Sequence, residues 1–423
     1  MKRYLMTTAA VAFAATGAAQ AGGHADAASV VGHYADMAQA QYEDSLMAAQ
    51  TLDAAIDAFL AAPSAEGFEA AKTAWLASRV PYQQTEVFRF GNPIVDDWEG
   101  RVNAWPLDEG LLDYVDASYG GPTDENEFAV LNLVANASFD LSGEMVDASM
   151  ITPALLQDTL HEADGVEANV ATGYHAIEFM LWGQDLNGHG EGAGNRSWTD
   201  YAMGDDCTNG NCDRRGEFLA ALADLLVTDL EEITAAWGDA GEARMNVMAD
   251  PTAGLSAMLT GMGSLSYGET AGERMRLGLL LNDPEEEHDC FADNTHNSHY
   301  FNGVGIRSVY LGEYVRIDGS LVEGPSLSDL VAAADPALDA EMQTRLADTV
   351  IALGRIKTAA EGGFSYDQML ERGNEAGEAL IMGGVNGFVA QTESIERVVA
   401  ALDLSAIEFE GSDSLDNPNA VFE

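Results

Sequence analysis

Apolar and polar positions recur along this chain with helical rather than strand spacing. Over residues 29–60, apolar side chains return every three to four positions, which places them on one face of a helix. Runs with a period of two are few, and the sequence is rich in Ala, Leu, Met, Asp and Glu. This pattern predicts an all-α fold. The predicted helices cover residues 29–60, 64–90, 104–119, 153–182 with an interruption near 164, 218–237, 245–250, 252–281, 339–356 and 387–402, with a loop over 282–305.

The first residues have the three parts of a bacterial export signal. Lys2 and Arg3 form a short basic start, a stretch of apolar and small residues follows, and Ala19-Gln20-Ala21 offers the small-x-small pattern that signal peptidase cuts. The apolar stretch is shorter than a membrane anchor needs. We therefore predict a signal peptide over residues 1–21, a periplasmic location and no transmembrane segment after cleavage.

The length of the chain predicts more than one domain. About 400 residues follow the signal, which exceeds what a single hydrophobic core usually organises. A connection rich in Gly, Asn and Asp over residues 183–211 is a natural boundary. Because each half opens with a long helix and contains a central buried one, we predict two helical-bundle domains related by duplication, over residues 22–200 and 201–423.

The chain is strongly acidic, with a formal net charge of −51 at pH 7. Removing the signal takes Lys2 and Arg3 from the 19 basic side chains and leaves all 70 acidic ones. Nucleic acids and anionic membranes both require a basic surface, so neither is a predicted partner. Two interpretations of the acidity stay open: a solvated surface suited to salty water, or a surface that attracts cations.

One predicted helix carries an imidazole and a carboxylate on the same face. His175 and Glu178 are three residues apart, so both can reach one ion, and Trp182 follows on the same stripe. The other faces are apolar, which predicts a buried helix, and a buried carboxylate is costly without a partner or a metal. The pattern is consistent with a metal site or with a hydrogen-bonded His–Glu pair in the core.

A second polar stripe lies on the helix predicted over residues 64–90. It consists of Arg79, Tyr82, Glu86 and Arg89, at intervals of three, four and three residues. Two arginines beside one glutamate are notable in a chain with so few cations. The stripe is either a buried ion-pair network that positions the helix, or a site where Glu86 binds a metal and the arginines hold an anion.

The segment over residues 285–299 holds three of the eight histidines together with several Asp, Asn and Glu residues. Asp293, His296 and His299 could all ligate a metal. Alternatively, the Asp and Asn side chains of this segment cap the backbone of the loop itself.

The three cysteines divide into a pair and a single residue. Cys207 and Cys212 bracket a short polar loop, and an exported chain is oxidised, so this spacing predicts a small disulfide. Cys290 is left over. Its thiol is either buried and inert or a further ligand beside the His-rich segment.

Four motifs, in order along the chain, resemble the imelysin family, also known as the iron-regulated protein A or M75 peptidase-like family. Residues 173–178 (GYHAIE) match the GxHxxE signature of that family. Residues 85–91 (TEVFRFG), 104–109 (AWPLDE) and 290–296 (CFADNTH) resemble three further family stretches. One departure is Ala292, where the family more often has serine.

The resemblance implies two helical-bundle domains, a site near their interface and an envelope role linked to iron uptake. It places metal ligation on His175 and Glu178, with Glu86 and Arg89 as neighbours. The family is also labelled a peptidase. A metallopeptidase requires an open metal position and a base, and this sequence lacks the HExxH motif of many zinc peptidases.

Three hypotheses follow. In the first, a periplasmic protein binds a metal ion or metal chelate, iron rather than zinc, for uptake or handling. In the second, it is a metallopeptidase with Glu178 or Glu86 as base, and in the third, a helical scaffold that docks an envelope partner. The predicted metal ligands are His175, Glu178 and Glu86, and the predicted neighbours that bind the metal's co-ligand or line its site are Arg79, Arg89, Trp182, Asp293 and His296.

Overall fold

The computed structural model describes residues 25–123 and 126–422, so the predicted signal peptide lies outside the described residues. The structure is 65% helical, with two short two-stranded sheets in the described part of the chain, and the predicted all-α fold is confirmed. The long helices are α1 (Ala27–Ala61), α2 (Ala65–Thr85), α3 (Pro93–Asn103), α4 (Gly173–Trp182), α5 (Cys212–Trp237), α6 (Pro251–Ser264), α7 (Thr295–Leu311), α8 (Pro336–Glu361) and α9 (Glu375–Ala401).

Short elements connect the long helices. Two antiparallel hairpins are formed by β1 (Ser138–Leu141) with β2 (Glu144–Asp147) and by β3 (Glu313–Val315) with β4 (Leu321–Glu323). The short α-helices are Glu109–Leu112, Pro153–Leu155, Glu242–Met248, Leu277–Leu281, Leu327–Ala334, Tyr366–Leu370 and Asp413–Asp416. The 3₁₀ turns are Glu86–Phe88, Ala163–Gly165, Trp198–Tyr201, Gly204–Asp206, Pro284–Glu286 and Ala420–Phe422, and the π-helical segments are Leu156–Leu160 and Leu265–Arg276.

The long helices form two packed groups. Helix α1 begins at a capping box between Asp26 and Ser29 and packs along α2 and α5. Helices α7, α8 and α9 form the second group, and α7 also packs on α2, which joins the groups. One continuous cluster of buried apolar side chains runs from Val30 to Val399. Because α5 lies beyond residue 200 and packs on α1, contacts cross the predicted domain boundary; that boundary and the duplication stay predictions.

Two segments differ from the helices predicted for them. Only Glu109–Leu112 is α-helical within residues 104–119, because Pro106 lacks a backbone donor and disfavours helical geometry at the residue before it. Conversely, helix α7 begins at Thr295, inside the predicted loop over 282–305. Its first turns bury His296, Ser298 and His299, so the polar residues that suggested a loop are core residues here.

The helix predicted over residues 252–281 continues through a change of geometry. After α6 the chain adopts a π-helical segment, Leu265–Arg276, before the α-helical turn Leu277–Leu281. Wider turns of this kind often mark functional sites because they redirect side chains that an α-helix would place elsewhere. Here the wide segment carries Glu269 and Arg274, both of which reach the candidate site described below.

The remaining fold predictions concern the cysteines and the membrane. Cys207 and Cys212 form the predicted disulfide, with Cα atoms 6.0 Å apart. Over residues 25–123 and 126–422, no helix combines the length and the apolar character that crossing a bilayer requires.

Candidate metal centre

Helix α4 carries the GxHxxE signature and is buried at every residue. Gly173 begins the helix with φ +78°, and a Cβ there would lie 2.4 Å from the carbonyl oxygen of Val102. Only glycine fits this conformation and this close contact. Because Val102 and Asn103 end α3, the glycine lets α4 start directly against α3, and this brings Asn103 toward the His175 region.

His175 and Glu178 form a closed pair in the interior. His175 Nδ1 lies 3.0 Å from Glu178 Oε2, and neither side chain is exposed. Glu178 Oε1 accepts a hydrogen bond of 2.8 Å from the backbone N–H of Ala292, which ties α4 to the segment before α7. His175 Nε2 has no hydrogen-bond partner. A buried, unpaired ring nitrogen is costly, and its lone pair is a metal ligand when Nδ1 carries the proton.

His288 and Asp289 complete a group around His175. Each of the three side chains offers a ligand atom, and these atoms all lie within 4.8 Å of one another. Asp289 Oδ1 is 4.0 Å from His175 Nδ1, and the centroids of the two imidazole rings are 4.7 Å apart. We call His175, His288 and Asp289 the histidine site.

The Asp289 carboxylate is held from one side by polar neighbours. Its Oδ1 accepts a hydrogen bond of 2.7 Å from Arg79, and its Oδ2 accepts hydrogen bonds from Asn294 at 2.7 Å and Ser298 at 2.5 Å. Burial would raise the pKa of Asp289, but the charge of Arg79 and these hydrogen bonds hold it at about 2. Oδ1 therefore carries negative charge and keeps one lone pair for a further ligand.

Burial sets the protonation of the other members. It lowers the pKa of His175 well below the usual value, and the charge of Arg79 lowers that pKa further. Burial and the charge of Arg274 do the same to the pKa of His288. Burial and the nearby Asp289 charge raise the pKa of Glu178 well above its usual range. Both imidazoles are thus neutral at pH 7, the state in which histidine ligates metals.

Glu86 does not contact the histidine site directly and is linked to it by hydrogen bonds through Asn103. Its Oε2 is 2.7 Å from Arg274, and its Oε1 accepts a hydrogen bond of 3.2 Å from Asn103. The Asn103 amide also lies 3.3 Å from His288 Nε2, and its oxygen accepts a hydrogen bond of 2.7 Å from Arg79. Asn103 thus links the predicted stripe on α2 to the histidine site, and Glu86 contacts that site only through it.

A cleft of about 400 Å³ opens beside the histidine site. His288 and Trp105 form part of its wall, and Arg89 forms another part while pairing with Asp96 at 2.8 Å. Most of the remaining charged groups on the wall are acidic, so the cleft favours the entry of cations. These acidic residues are Glu99, Glu162, Glu167, Glu269, Glu273 and Glu286.

Aromatic rings cover the histidine site and set the position of Trp182. The Trp105 ring centroid lies 5.1 Å from that of His175 and 5.7 Å from that of Phe291, so Trp105 packs over one side of the site. Trp182, at the far end of α4, packs on Trp75 with a centroid distance of 5.3 Å. Trp182 therefore packs α4 against α2 and is not part of the histidine site.

Asp293 lies in a separate cluster of acidic side chains. Its carboxylate joins those of Glu287 and Asp367, with one oxygen from each within 4.8 Å of the others. We call these three residues the carboxylate site. Glu287 directly precedes His288, so adjacent residues of one segment supply two different clusters.

The remaining predicted ligands on this segment lie apart from both clusters. His296 Nε2 is 3.0 Å from the Asn297 amide, and burial lowers the pKa of His296 to about 4. His299 packs edge-on against Tyr366, with both ring nitrogens unpaired. Cys290 is buried, and its burial, together with the nearby Glu178 charge, raises the pKa of its thiol well above the usual value. A thiolate ligand at Cys290 is therefore disfavoured.

Sequence reasoning did not assign His288, Asp289, Asn103 or Arg274 to the site. His288 and Asp289 lie in the His-rich segment over residues 285–299, but the ligands predicted there are Asp293, His296 and His299. A usable signal was the direct succession of an imidazole and a carboxylate at 288 and 289. Asn103 directly precedes the 104–109 motif and carried no signal of its own.

The sequence profile of the imelysin family matches residues 38–395. The chain belongs to the imelysin family. A curated relative, the iron-regulated protein A of Synechococcus elongatus, is 38% identical over 64 residues, which are 15% of this chain and 18% of that relative. The chain thus matches less than a fifth of that relative's length.

Two solved imelysin-family structures share the fold. A protein assigned as an iron-regulated protein A precursor, from Parabacteroides distasonis, superposes with a TM-score of 0.63 at 18% identity, covering 89% of this chain and 95% of that one. An imelysin-like protein from Psychrobacter arcticum has a TM-score of 0.58 at 14% identity and covers 91% and 99%. The predicted family membership is confirmed, and the roles of individual residues stay predictions.

Proposed function

We propose that this imelysin-family protein binds ferrous iron at the histidine site and handles it as cargo in the periplasm. The observation that carries the proposal is a group of two imidazoles and one carboxylate whose ligand atoms lie within 4.8 Å of one another, in which His175 Nε2 is buried and unpaired. Two neutral imidazoles and one carboxylate form a donor set used for non-haem ferrous iron, and also for zinc.

Two further facts favour iron over zinc as the cargo. The curated relative and one of the structural relatives are described as iron-regulated proteins. The cleft beside His288 is lined mainly by carboxylates, which attract a hydrated cation such as ferrous iron. The periplasmic assignment rests on the signal pattern of residues 1–21.

In this proposal Glu178 orients His175 and does not ligate the metal. When Nδ1 of His175 carries the proton, Glu178 Oε2, 3.0 Å away, accepts it in a hydrogen bond and Nε2 stays free, while the backbone N–H of Ala292 holds the carboxyl group in place. Arg79 and Asn103 act in the same way on Asp289 and His288. The ligands are therefore His175, His288 and Asp289, and Glu86 stabilises Asn103 and Arg274.

The test is anaerobic titration of the mature chain with ammonium iron(II) sulfate, in high salt because the acidic surface binds cations weakly everywhere. We expect one equivalent of tightly bound iron, retained by the control His189→Gln and lost by His175→Ala. His189 is half-buried on a surface loop, with Nε2 3.0 Å from the Asn282 carbonyl, outside the histidine site.

Elemental analysis of the same preparations supplies the stoichiometry, and circular dichroism checks that the variants fold. If His175→Ala does not fold, His175→Gln keeps a polar side chain at this position and tests the same point. Equal iron binding by wild type and both His175 variants would contradict the proposal, as would a wild type that takes up no stoichiometric iron.

A further inference from the structure

The carboxylate site is assembled from three separate elements. Glu287 follows the 3₁₀ turn Pro284–Glu286, Asp293 precedes α7, and Asp367 lies on the short helix Tyr366–Leu370. Glu287 is fully buried, and Asp367 is 1% exposed. Moving three carboxylates together out of water is costly unless a positive charge compensates them.

The structure leaves the oxygens of this site without good partners. Both oxygens of Glu287, Oδ1 of Asp293 and Oδ2 of Asp367 lack a well-formed hydrogen bond. Asp367 contacts both of the other carboxyl groups, and two carboxylates can approach in this way only with a proton or a cation between them. The nearby Asp289, by contrast, is paired with an arginine and hydrogen-bonded twice more.

A proton satisfies this arrangement less well than a cation. One shared proton bridges two oxygens, so it leaves two of the four unpaired oxygens as they are. A single divalent cation can be ligated by one oxygen from each of the three side chains at once, since these oxygens lie within 4.8 Å of one another. The site offers only oxygen atoms, and calcium accepts six to eight oxygens at irregular angles, whereas magnesium demands near-octahedral geometry and retains water.

We propose that Glu287, Asp293 and Asp367 bind a calcium ion. The ion compensates the carboxylates of the buried Glu287 and Asp367 and of the half-buried Asp293, and it joins three elements that are separate in the chain. The site itself does not depend on iron binding at the histidine site.

The effect of this calcium site on iron binding does rest on the proposed function. Glu287 directly precedes His288 and Asp289, and Asp293 directly follows Ala292, whose N–H holds Glu178. A cation at the carboxylate site therefore fixes both ends of the segment that carries two of the proposed iron ligands. Calcium is expected to tighten iron binding without occupying the histidine site.

The experiment uses the full mature chain, stripped with a chelator and titrated with calcium chloride in high salt by isothermal titration calorimetry. We expect one calcium site in the wild type and in Asp348→Asn, a matched change at an exposed acid of α8. Asp367→Asn should bind at least about 100-fold more weakly, because it removes one charge and one ligand oxygen. Thermal unfolding with and without calcium gives a second readout: the calcium-induced rise in melting temperature should disappear in Asp367→Asn alone.

Several outcomes would overturn the proposal. Equal calcium binding by wild type and Asp367→Asn would place the ion elsewhere on the acidic surface. No calcium binding by the wild type would show that protons, and not a cation, compensate the site. Binding of magnesium as tight as that of calcium would overturn the choice of ion. If Asp367→Asn fails to fold even with calcium, Glu287→Gln replaces it in every arm.

His175→Ala separates this proposal from the proposed function. It should lose iron and keep the calcium-induced rise in melting temperature. Loss of that rise in His175→Ala, with retention in Asp367→Asn, would assign calcium to the histidine site and overturn the inference.

Discussion

The histidine site and the carboxylate site meet at adjacent residues of one segment, 287–289, yet they handle charge in opposite ways. In the histidine site the single carboxylate is neutralised by Arg79, and burial keeps both imidazoles uncharged. In the carboxylate site four oxygens have no well-formed hydrogen bond. The first keeps a buried, unpaired imidazole nitrogen that a borderline metal such as ferrous iron can take up. In our proposal the second takes up its compensating positive charge as a bound cation.

This difference shows that proximity along the chain does not determine which ion a residue serves. Successive side chains leave the backbone in different directions, so Glu287 and His288 enter different clusters. The elements packed against each cluster determine what it binds. Helix α2 brings an arginine to the histidine site, whereas the helix Tyr366–Leu370 brings a further carboxylate to the carboxylate site.

The largest expected effect on stability comes from removing the Asp289 carboxylate, which Arg79 compensates. Asp289→Asn leaves the guanidinium of Arg79 buried without its partner, so we expect the free energy of unfolding to fall by about 3–5 kcal/mol. Asp367→Asn, measured without calcium, should leave the free energy of unfolding unchanged or raise it, because it removes repulsion among the carboxylates of the carboxylate site. Urea unfolding in excess chelator measures both. Equal losses would mean that the protein itself compensates the carboxylate site.

A smaller effect is expected from the residue that orients His175. Glu178→Gln keeps the size of the side chain and weakens its hold on the imidazole, so the affinity for ferrous iron should fall by about 10–100-fold. Calcium affinity should stay unchanged, since Glu178 is not part of the carboxylate site. Anaerobic iron titration and calorimetry with calcium give the two values. An unchanged iron affinity would show that Glu178 does not orient His175 for iron binding.

The smallest effect concerns a buried imidazole outside both sites. Burial lowers the pKa of His299 to about 3, below its usual 6.5, so the unfolded chain takes up this proton first. The stability that neutral His299 contributes is therefore present above pH 6.5 and is lost as the pH falls toward 3. Between pH 7 and 5.5 the loss is about 1 kcal/mol.

His299→Gln should remove that part of the acid sensitivity. The free energy of unfolding of the variant, from urea titrations at pH 7 and 5.5, should fall by about 1 kcal/mol less than that of the wild type. Asp348→Asn serves as the control, because it changes an exposed side chain of α8. An identical pH dependence in wild type and His299→Gln would show that this imidazole is hydrated.

The sequence predicted the local half of the histidine site and missed the distant half. His175 and Glu178 share a helix face, so their spacing alone predicts their contact. His288 and Asp289 reach the same point only because the fold brings the segment before α7 to α4. The direct contact of Gly173 with Val102 was equally hidden, since it joins two helices far apart in the sequence.

The fold was predictable wherever the polar residues of a helix face solvent. Helix α1 was predicted to within a few residues because most of its buried positions are apolar, although Gln41, Asp44 and Ser45 are buried as well. Helix α7 was missed because it buries His296, Ser298 and His299 in its first turns. Polar side chains in a core belong to a network that periodicity does not reveal, and here that network adjoins the candidate site.

Anomalous X-ray diffraction of crystals grown anaerobically with ferrous iron, recorded at the iron edge, tests the central claim most directly. The account predicts one strong peak at about 2 Å from a nitrogen of His175 and a nitrogen of His288 and from Asp289 Oδ1. No iron peak is predicted at the carboxylate site. A peak at the carboxylate site alone, or no ordered iron at the histidine site, would contradict the account.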